Sequence, residues 1–272
     1  MDNTDTLPLT GATRLNIIVG DPIAQVKSPG GMTAAFAERG HDGIVVPVHI
    51  TSPDLDLFMD AAGRIKNLDG IIVTIPHKFS CAKYCKSVTD RVRFLDTVNI
   101  MRRREDGLWH GDTVDGIGFV KAVCANGGTP KGSKALLVGA GGAGSAIALA
   151  LLEAGVRELA VHDGDTARRD ALIERLRAHG GAQISAGSPI PTGFDLIANA
   201  TPAGMKPGDA LPIDVNLLSP ASFVGCVVTS PAITPLIAAA RRVGCRTSTG
   251  TDMYMALQGA MVDFLLADTD KP

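Results

Sequence analysis

Two side chains and one glycine turn carry the chemistry open to this sequence. Lys78 closes the run Val73-Thr74-Ile75-Pro76-His77-Lys78. The short apolar strand expected over Gly70 to Ile75 stops at Pro76, so the lysine falls just past a strand's carboxyl end. Open α/β sheets bind ligands at that edge. An ammonium there can steady an alcoholate or pass on a proton. Asp115, in Gly111-Asp112-Thr113-Val114-Asp115-Gly116-Ile117-Gly118-Phe119, is placed at a helix start and could hold the lysine's charge. Taken alone, the first is an ordinary surface lysine and the second an ordinary helix cap. Their separation in sequence says nothing about their distance.

The glycine turn is more specific. Leu136-Leu137-Val138-Gly139-Ala140-Gly141-Gly142-Ala143-Gly144-Ser145-Ala146 reads as strand, turn and helix start. Asp163 follows nineteen residues after the last glycine, at the end of a second apolar run, Leu159-Ala160-Val161-His162. A dinucleotide-binding βαβ unit needs that order. Gly139 permits the tight turn, Gly141 lets backbone approach a pyrophosphate, and Gly144 lets the helix pack on the strand. The helix N-terminus offers free N–H groups and a partial positive charge to phosphates.

The elements that position these groups alternate. Leu15–Gly20 and Gly43–Ile50 read as strands, and Met32–Arg39 as a helix closed by Gly40. Ser52-Pro53-Asp54 starts a helix carrying Leu55, Leu57, Phe58 and Ala61. After the strand ending at Pro76, a further helix is expected through Tyr84, which would put Cys81 and Cys85 on one helix. Thr97–Ile100 and Leu108–Gly111 read as strands flanking a charged hairpin loop, Arg102 to Gly107. A helix runs from Asp115 to about Cys124, and Ala125–Gly132 is a natural boundary. The fold expected is α/β with two domains. Residues 1–124 form a substrate domain, 133–249 a Rossmann-type dinucleotide domain, and a helix within 250–272 returns to the first.

Composition narrows the class. A chain of 272 residues has room for two domains. A formal net charge of −2 provides no global field for nucleic acid or anionic membrane, and the Arg102-Arg103-Arg104 triplet, without interleaved aromatics, reads as an exposed turn. The acidic start Met1-Asp2-Asn3-Thr4-Asp5 lacks the basic region of a secretory signal, so a cytoplasmic protein with five reduced cysteines is expected. The uncharged stretch Ala135 to Leu152 is long enough for a bilayer, but its glycine turn favours strand, turn and helix. No metal site is expected, because Cys81 and Cys85 have no second ligand pair.

From about residue 15 to residue 265 the chain resembles the shikimate/quinate dehydrogenase family. Gly20-Asp21-Pro22-Ile23 with Ser28-Pro29 resembles its opening substrate loop. Val73 to Lys78 resembles NVTxPHK, Val98-Asn99 resembles AVNT, and Asp115 to Phe119 resembles the end of NTDGxGF. Gly139 to Gly144 has the family form GAGGAG. Asn199-Ala200-Thr201-Pro202-Ala203-Gly204-Met205 resembles NATxxGM, the loop on the nicotinamide side. Thr234-Pro235-Leu236 resembles TPL, and Gly250-Thr251-Asp252-Met253 with Gln258 resembles GxxMLxxQ. The resemblance implies a catalytic pair, Lys78 and Asp115, with Ser28, Thr74, Asn99 and Gln258 holding a small hydroxy acid. It implies cofactor contacts from Gly139, Ala140, Gly141, Gly142, Ala143, Gly144, Asn199, Ala200, Thr201, Met205, Gly250 and Met253. It also implies a monomer or homodimer. A dehydrogenase for an amino- or deoxy-shikimate-like acid is the nearest alternative, and a non-catalytic NAD-binding sensor the more distant one.

The departures are as informative. Val26 stands where the family has a first serine, Ile72 where NVTxPHK has asparagine, Thr113-Val114 where it has Asn-Thr, and Thr229 where a tyrosine is expected. A substrate with shikimate's polar groups would be poorly paired against Val26 and Ile72. NADP-preferring relatives carry Asn-Arg-Thr where this chain has Asp163-Gly164-Asp165. A carboxylate accepts from ribose hydroxyls and repels a 2′-phosphate, so NAD is expected over NADP, with Asp163 the ribose partner and Asp165 shaping the adenosine side. Arg168 and Arg169 are expected to lie exposed on the next helix.

Overall fold

The computed structural model describes residues 9–267. The opening Met1–Asp5 segment and the end of the 250–272 stretch lie outside the described residues. The first sheet comprises β1 (Arg14–Gly20), β2 (Gly43–His49), β3 (Leu68–Val73), β4 (Cys85–Val88), β5 (Ile100–Arg103) and β6 (Trp109–Asp112), with α1 (Ser28–Glu38), α2 (Leu55–Arg64), α3 (Asp90–Leu95) and α4 (Asp115–Ala125) between and after them. Its order is β2-β1-β3-β5-β6-β4. The strand pairs β1–β2, β1–β3 and β4–β6 are parallel, and β5 is antiparallel to β3 and to β6.

The second sheet comprises β7 (Lys134–Val138), β8 (Glu158–His162), β9 (Gln183–Ala186), β10 (Leu196–Asn199), β11 (Phe223–Cys226) and β12 (Arg246–Ser248), with α5 (Gly142–Glu153), α6 (Thr166–His179) and α7 (Pro235–Val243). All its pairs are parallel, in the order β12-β11-β10-β7-β8-β9. The chain runs outward from β7 to β9, then returns to place β10 on the other side of β7. That reversal opens a crevice at the carboxyl ends of β7 and β10, where doubly wound sheets bind ligands. Leu136 and Leu137 are both fully buried because each face of β7 is covered.

The expected α/β architecture with a returning helix is met. Helix α8 (Gly250–Leu265) starts after β12 with a capping box, Thr249 and Asp252 exchanging side chain-to-backbone hydrogen bonds. It then packs on α1 and α4, where Leu257, Met261 and Val262 join Ile18, Met32 and Ile72 in one buried cluster. Helix α4 is the keystone, lying against both α5 and α8. A Cβ on Gly116 would come within 2.1 Å of the Ala146 carbonyl oxygen, so only glycine allows α4 and α5 to cross that closely.

Several local expectations are corrected. Helix α1 begins at Ser28 rather than Met32, with Pro29 in its first turn. Gly30 and Gly31 lie within the helix, and Gly31 leaves room for the Tyr254 hydroxyl of α8. The helix expected through Tyr84 does not form: turns follow Thr74, then a 3₁₀ turn Ala82–Tyr84, then β4, which the periodicity concealed. Cys81 and Cys85 therefore share no helix. Burial pushes both thiols up to about 12. The hairpin between β5 and β6 forms, but Arg102 and Arg103 belong to β5 rather than to its loop. Arg103 stacks over Trp109 and donates to the carbonyls of Leu68, Ala62, Gly63, Ile65 and Gly107, a structural clamp and not an exposed basic patch.

Candidate active site

Lys78 and Asp115 meet. Lys78 Nζ donates to Asp115 Oδ2, and both side chains are largely buried. Asp115 is the first residue of α4, and its other oxygen, Oδ1, accepts from Asn99 Nδ2 at 2.8 Å. Asn99 in turn accepts the Val114 N–H through Oδ1 at 2.9 Å. Its backbone bridges β3 and the end of β6, with Val73 N donating to Asn99 O and Asn99 N to Asp112 O. The carboxylate is thus held by the loop before β5, while Val98 N donates to Lys78 O and fixes the lysine's backbone to the same loop.

The remaining residues expected at the substrate side lie on α1, just past β3 and on α8. Ser28 is buried at the start of α1. Thr74 is half-buried just past β3, with its N–H on Val19 O. On α8, Gln258 uses Nε2 on Gly31 O at 2.6 Å, with the Tyr254 hydroxyl 3.3 Å away, so its carbonyl oxygen is the part left to an incoming donor. Ile72 is buried and Val26 partly buried in the apolar cluster that contains Leu257. Thr229, which follows β11, donates to Gln25 O at 3.3 Å and so ties the second unit to the opening loop.

The glycine turn has the required form. Gly139 has φ +104°, a left-handed value that glycine adopts without steric cost. A Cβ on Gly144 would lie 1.9 Å from Gly139 O, so the helix and turn can pack only through glycine. Around Gly141 nothing lies within 4 Å of a Cβ position, leaving an open cradle at the start of α5. No side chain caps this helix, and its first N–H groups have no acceptor within it. Those features fit a dinucleotide pyrophosphate. The neighbouring loop is prearranged: Asn199, fully buried at the end of β10, accepts from Thr201 N and Thr201 Oγ1, and Ala200 N donates to Val138 O. Met205 packs against the cluster around Ile197 and Val224, Gly250 abuts the Val228 carbonyl, and Met253 is buried in the cluster of Phe119.

Asp163 sits where expected but is already engaged. Its Oδ2 accepts from Ala140 N at 2.6 Å and Arg168 Nε at 3.2 Å; its Oδ1 accepts from Asp165 N at 2.8 Å and Arg168 Nη2 at 2.7 Å. A carboxylate offers about four acceptor sites, and these four bonds fill them. Arg168 lies exposed on α6 as expected, but its guanidinium is also bound to Asp163, while Asp165 caps α6 by accepting from Arg168 N. Burial raises the Asp163 pKa, but the bonds from Arg168, Ala140 and Asp165 outweigh it and hold the carboxyl below its ordinary range. A depressed folded-state pKa adds stability that is complete above the ordinary value and lost as pH falls through the folded one. Asp163→Asn is therefore expected to flatten the acid limb of a melting-temperature profile below about pH 4. An unchanged acid limb in that variant would contradict the linkage.

The two centres are contiguous. A Cβ on Gly142 would stand 2.7 Å from Lys78 Cβ, so the first turn of α5 lies directly against the lysine. A doubly wound parallel sheet whose glycine turn abuts a buried Lys–Asp pair defines an NAD(P)-dependent oxidoreductase acting on a CH–OH group. Residues 18–101 match the shikimate dehydrogenase substrate binding domain. The chain is 34% identical to a shikimate dehydrogenase (NADP(+)) of Rubrobacter xylanophilus over 92% of its own length and 89% of that protein's. Its fold is similar to the quinate dehydrogenase of Corynebacterium glutamicum in complex with NAD (TM-score 0.82, 27% identity, 93% and 94% of the two chains). It is also similar to the shikimate 5-dehydrogenase of Listeria monocytogenes in complex with shikimate and NAD (TM-score 0.83, 26% identity, 97% and 95%). The chain belongs to the shikimate dehydrogenase family.

Sequence reasoning placed Lys78, Asp115 and the glycine turn but missed three things: the Asn99 clamp on Asp115, the Arg168–Asp163 pair, and the contact of Gly142 with Lys78. Only the last lacked any local signal. Asn99 stands in the Val98-Asn99 motif, and Arg168 stands one helical turn after Asp165.

Proposed function

We propose that this dehydrogenase prefers NAD and acts on a ring hydroxyl of a shikimate- or quinate-like hydroxy acid, with Lys78 and Asp115 as its catalytic pair. The observation that carries this reading is the Lys78–Asp115 pair lying against the turn at Gly142. A bound nicotinamide supplies the hydride acceptor or donor. Lys78 Nζ carries the proton of the reacting hydroxyl, and Asp115 Oδ2 holds the lysine in place. Asn99 fixes Asp115 through Oδ1 and positions the pair rather than the chemistry. Ser28, Thr74 and the Gln258 carbonyl oxygen bind the acid's polar groups. Burial of the pair excludes water and strengthens the interaction between its charges. The chain works as two domains, 1–124 with 250–272 and 133–249, and the bond from Thr229 to Gln25 O is one of the contacts closing the cleft.

On the cofactor side, the ribose hydroxyls take the two acceptor sites that Arg168 occupies on Asp163, and the half-exposed arginine moves outward. A 2′-phosphate would meet that arginine but also two carboxylates, Asp163 and Asp165, so the balance favours NAD. Asp163→Ala is expected to lower the affinity for NAD more than for NADP and narrow the ratio of their kcat/KM values. A lower KM for NADP in the wild-type enzyme would overturn the preference.

Val26 and Ile72 put apolar surface where a polar ring substituent would need a partner, and an unpaired buried polar group costs about 1–3 kcal/mol. Shikimate is therefore expected to be a weak substrate beside a less polar, deoxy analogue. A panel of shikimate, quinate and such analogues with NAD and NADP, followed by NADH or NADPH absorbance, tests both points. Efficient turnover of shikimate, with KM on the order of 1 μM–1 mM, would return the substrate to shikimate itself.

A further inference from the structure

Among the described residues, five buried side-chain polar atoms have no hydrogen-bond partner, and one of them borders the active site: Thr97 Oγ1. Thr97 is fully buried in the short segment between α3 and β5. Its hydroxyl oxygen lies 2.7 Å from where a Cβ on Gly142 would stand, the same position that touches Lys78 Cβ. The side chain therefore points from the first sheet's unit at the first turn of α5, the helix whose N–H groups have no cap. The hydroxyl can donate and accept, yet it has no partner, and the first N–H groups of α5 have no acceptor within the helix. An anionic acceptor seated at that turn would accept from the hydroxyl and from the N–H groups together.

We propose that Thr97 is a cofactor-positioning residue whose hydroxyl donates to a pyrophosphate oxygen of the dinucleotide held on the first turn of α5. This rests on the reading that the glycine turn binds a nicotinamide dinucleotide. The contact joins the substrate-side unit to the cofactor's phosphates. A dinucleotide on the turn then draws together the loop that carries Thr97 and the lysine beside it, and the buried hydroxyl gains a partner. The hydroxyl is sealed in the unliganded arrangement, so phosphate entry requires a small separation of Gly142 from Thr97, as hinge opening of the cleft provides.

Calorimetric binding of NAD and of ADP-ribose, without hydroxy acid, tests the proposal in wild type, Thr97→Val, Thr97→Ala and Thr97→Ser. Thr97→Val replaces the hydroxyl by a methyl of similar size, and Thr97→Ala covers the case in which the valine variant fails to fold. The expected result is a loss of about tenfold in affinity for both ligands in the valine and alanine variants, the size of one hydrogen bond to a charged acceptor. Thr97→Ser should stay within about twofold of wild type, because it keeps the donor. The unliganded melting temperature of Thr97→Val should match or exceed that of wild type, because a buried unpaired polar atom is removed. Equal affinity in wild type and both hydroxyl-free variants overturns the proposal, as does a loss for NAD with none for ADP-ribose. A wild-type protein that binds neither ligand removes the dinucleotide reading itself, an outcome distinct from either.

Discussion

Replacing Lys78 with alanine should lower kcat by about 10²- to 10⁴-fold, the usual contribution of a positioned acid–base group, while NAD still binds. Lys78 is the cationic side chain bonded to Asp115, and it lies beside the turn on which the cofactor is proposed to sit. The same variant should be less stable. Asp115 is 8% exposed and would lose its cation while keeping the Asn99 bond. Breaking a buried ion pair from one side leaves an uncompensated charge and costs about 3–5 kcal/mol. The double variant Lys78→Met, Asp115→Asn should recover much of the melting temperature and none of the turnover. That split separates a chemical role from a structural one. Turnover in Lys78→Ala at the wild-type rate would end the assignment of the pair, whatever the stability.

Gly144→Ala should abolish measurable NAD binding and lower the melting temperature by several degrees. The new Cβ would sit 1.9 Å from Gly139 O, a backbone atom that cannot rotate away. Forcing extra volume into packed backbone costs about 1–3 kcal/mol or more, and about 2–4 °C accompanies each kcal/mol in chains of 150–250 residues. Gly141→Ala is the matched control. Its Cβ would meet nothing within 4 Å, so stability should hold while the methyl occupies the cradle intended for the pyrophosphate. Loss of binding in both variants with loss of stability in only one would distinguish the two glycines' roles. Wild-type NAD affinity in Gly141→Ala would show that the phosphates do not approach that turn.

The legible parts of the site share a property: each is encoded within a short stretch. Strand, glycine turn, helix start and a following acid occupy consecutive residues, and the φ of +104° at Gly139 follows from that local pattern. The misread parts are those where tertiary packing overrode local preference. The helix expected from Met32 starts at Ser28 and runs through Gly30 and Gly31, where α8 approaches closely at Gly31. The stretch after Pro76 has helical spacing, yet it forms turns and β4, which gains a parallel partner in β6 and covers the sheet edge. Arg103 looks like part of a charged loop, yet its guanidinium meets five carbonyls contributed mainly by the α2–β3 connection.

By itself the sequence determined the class of fold, the dinucleotide turn, and the identities of the lysine and aspartate, because periodicity, turn chemistry and motif order are properties of neighbouring residues. Only the tertiary structure decided that Lys78 reaches Asp115, that Asn99 holds that aspartate, that Gly142 lies against the lysine with Thr97 beside it, and that Arg168 occupies Asp163. Separation along the chain carries no distance. Nor does local pattern reveal which of several possible acceptors a buried donor will use; that choice is made when all the elements pack at once and each buried polar group takes the partner the packing leaves within reach.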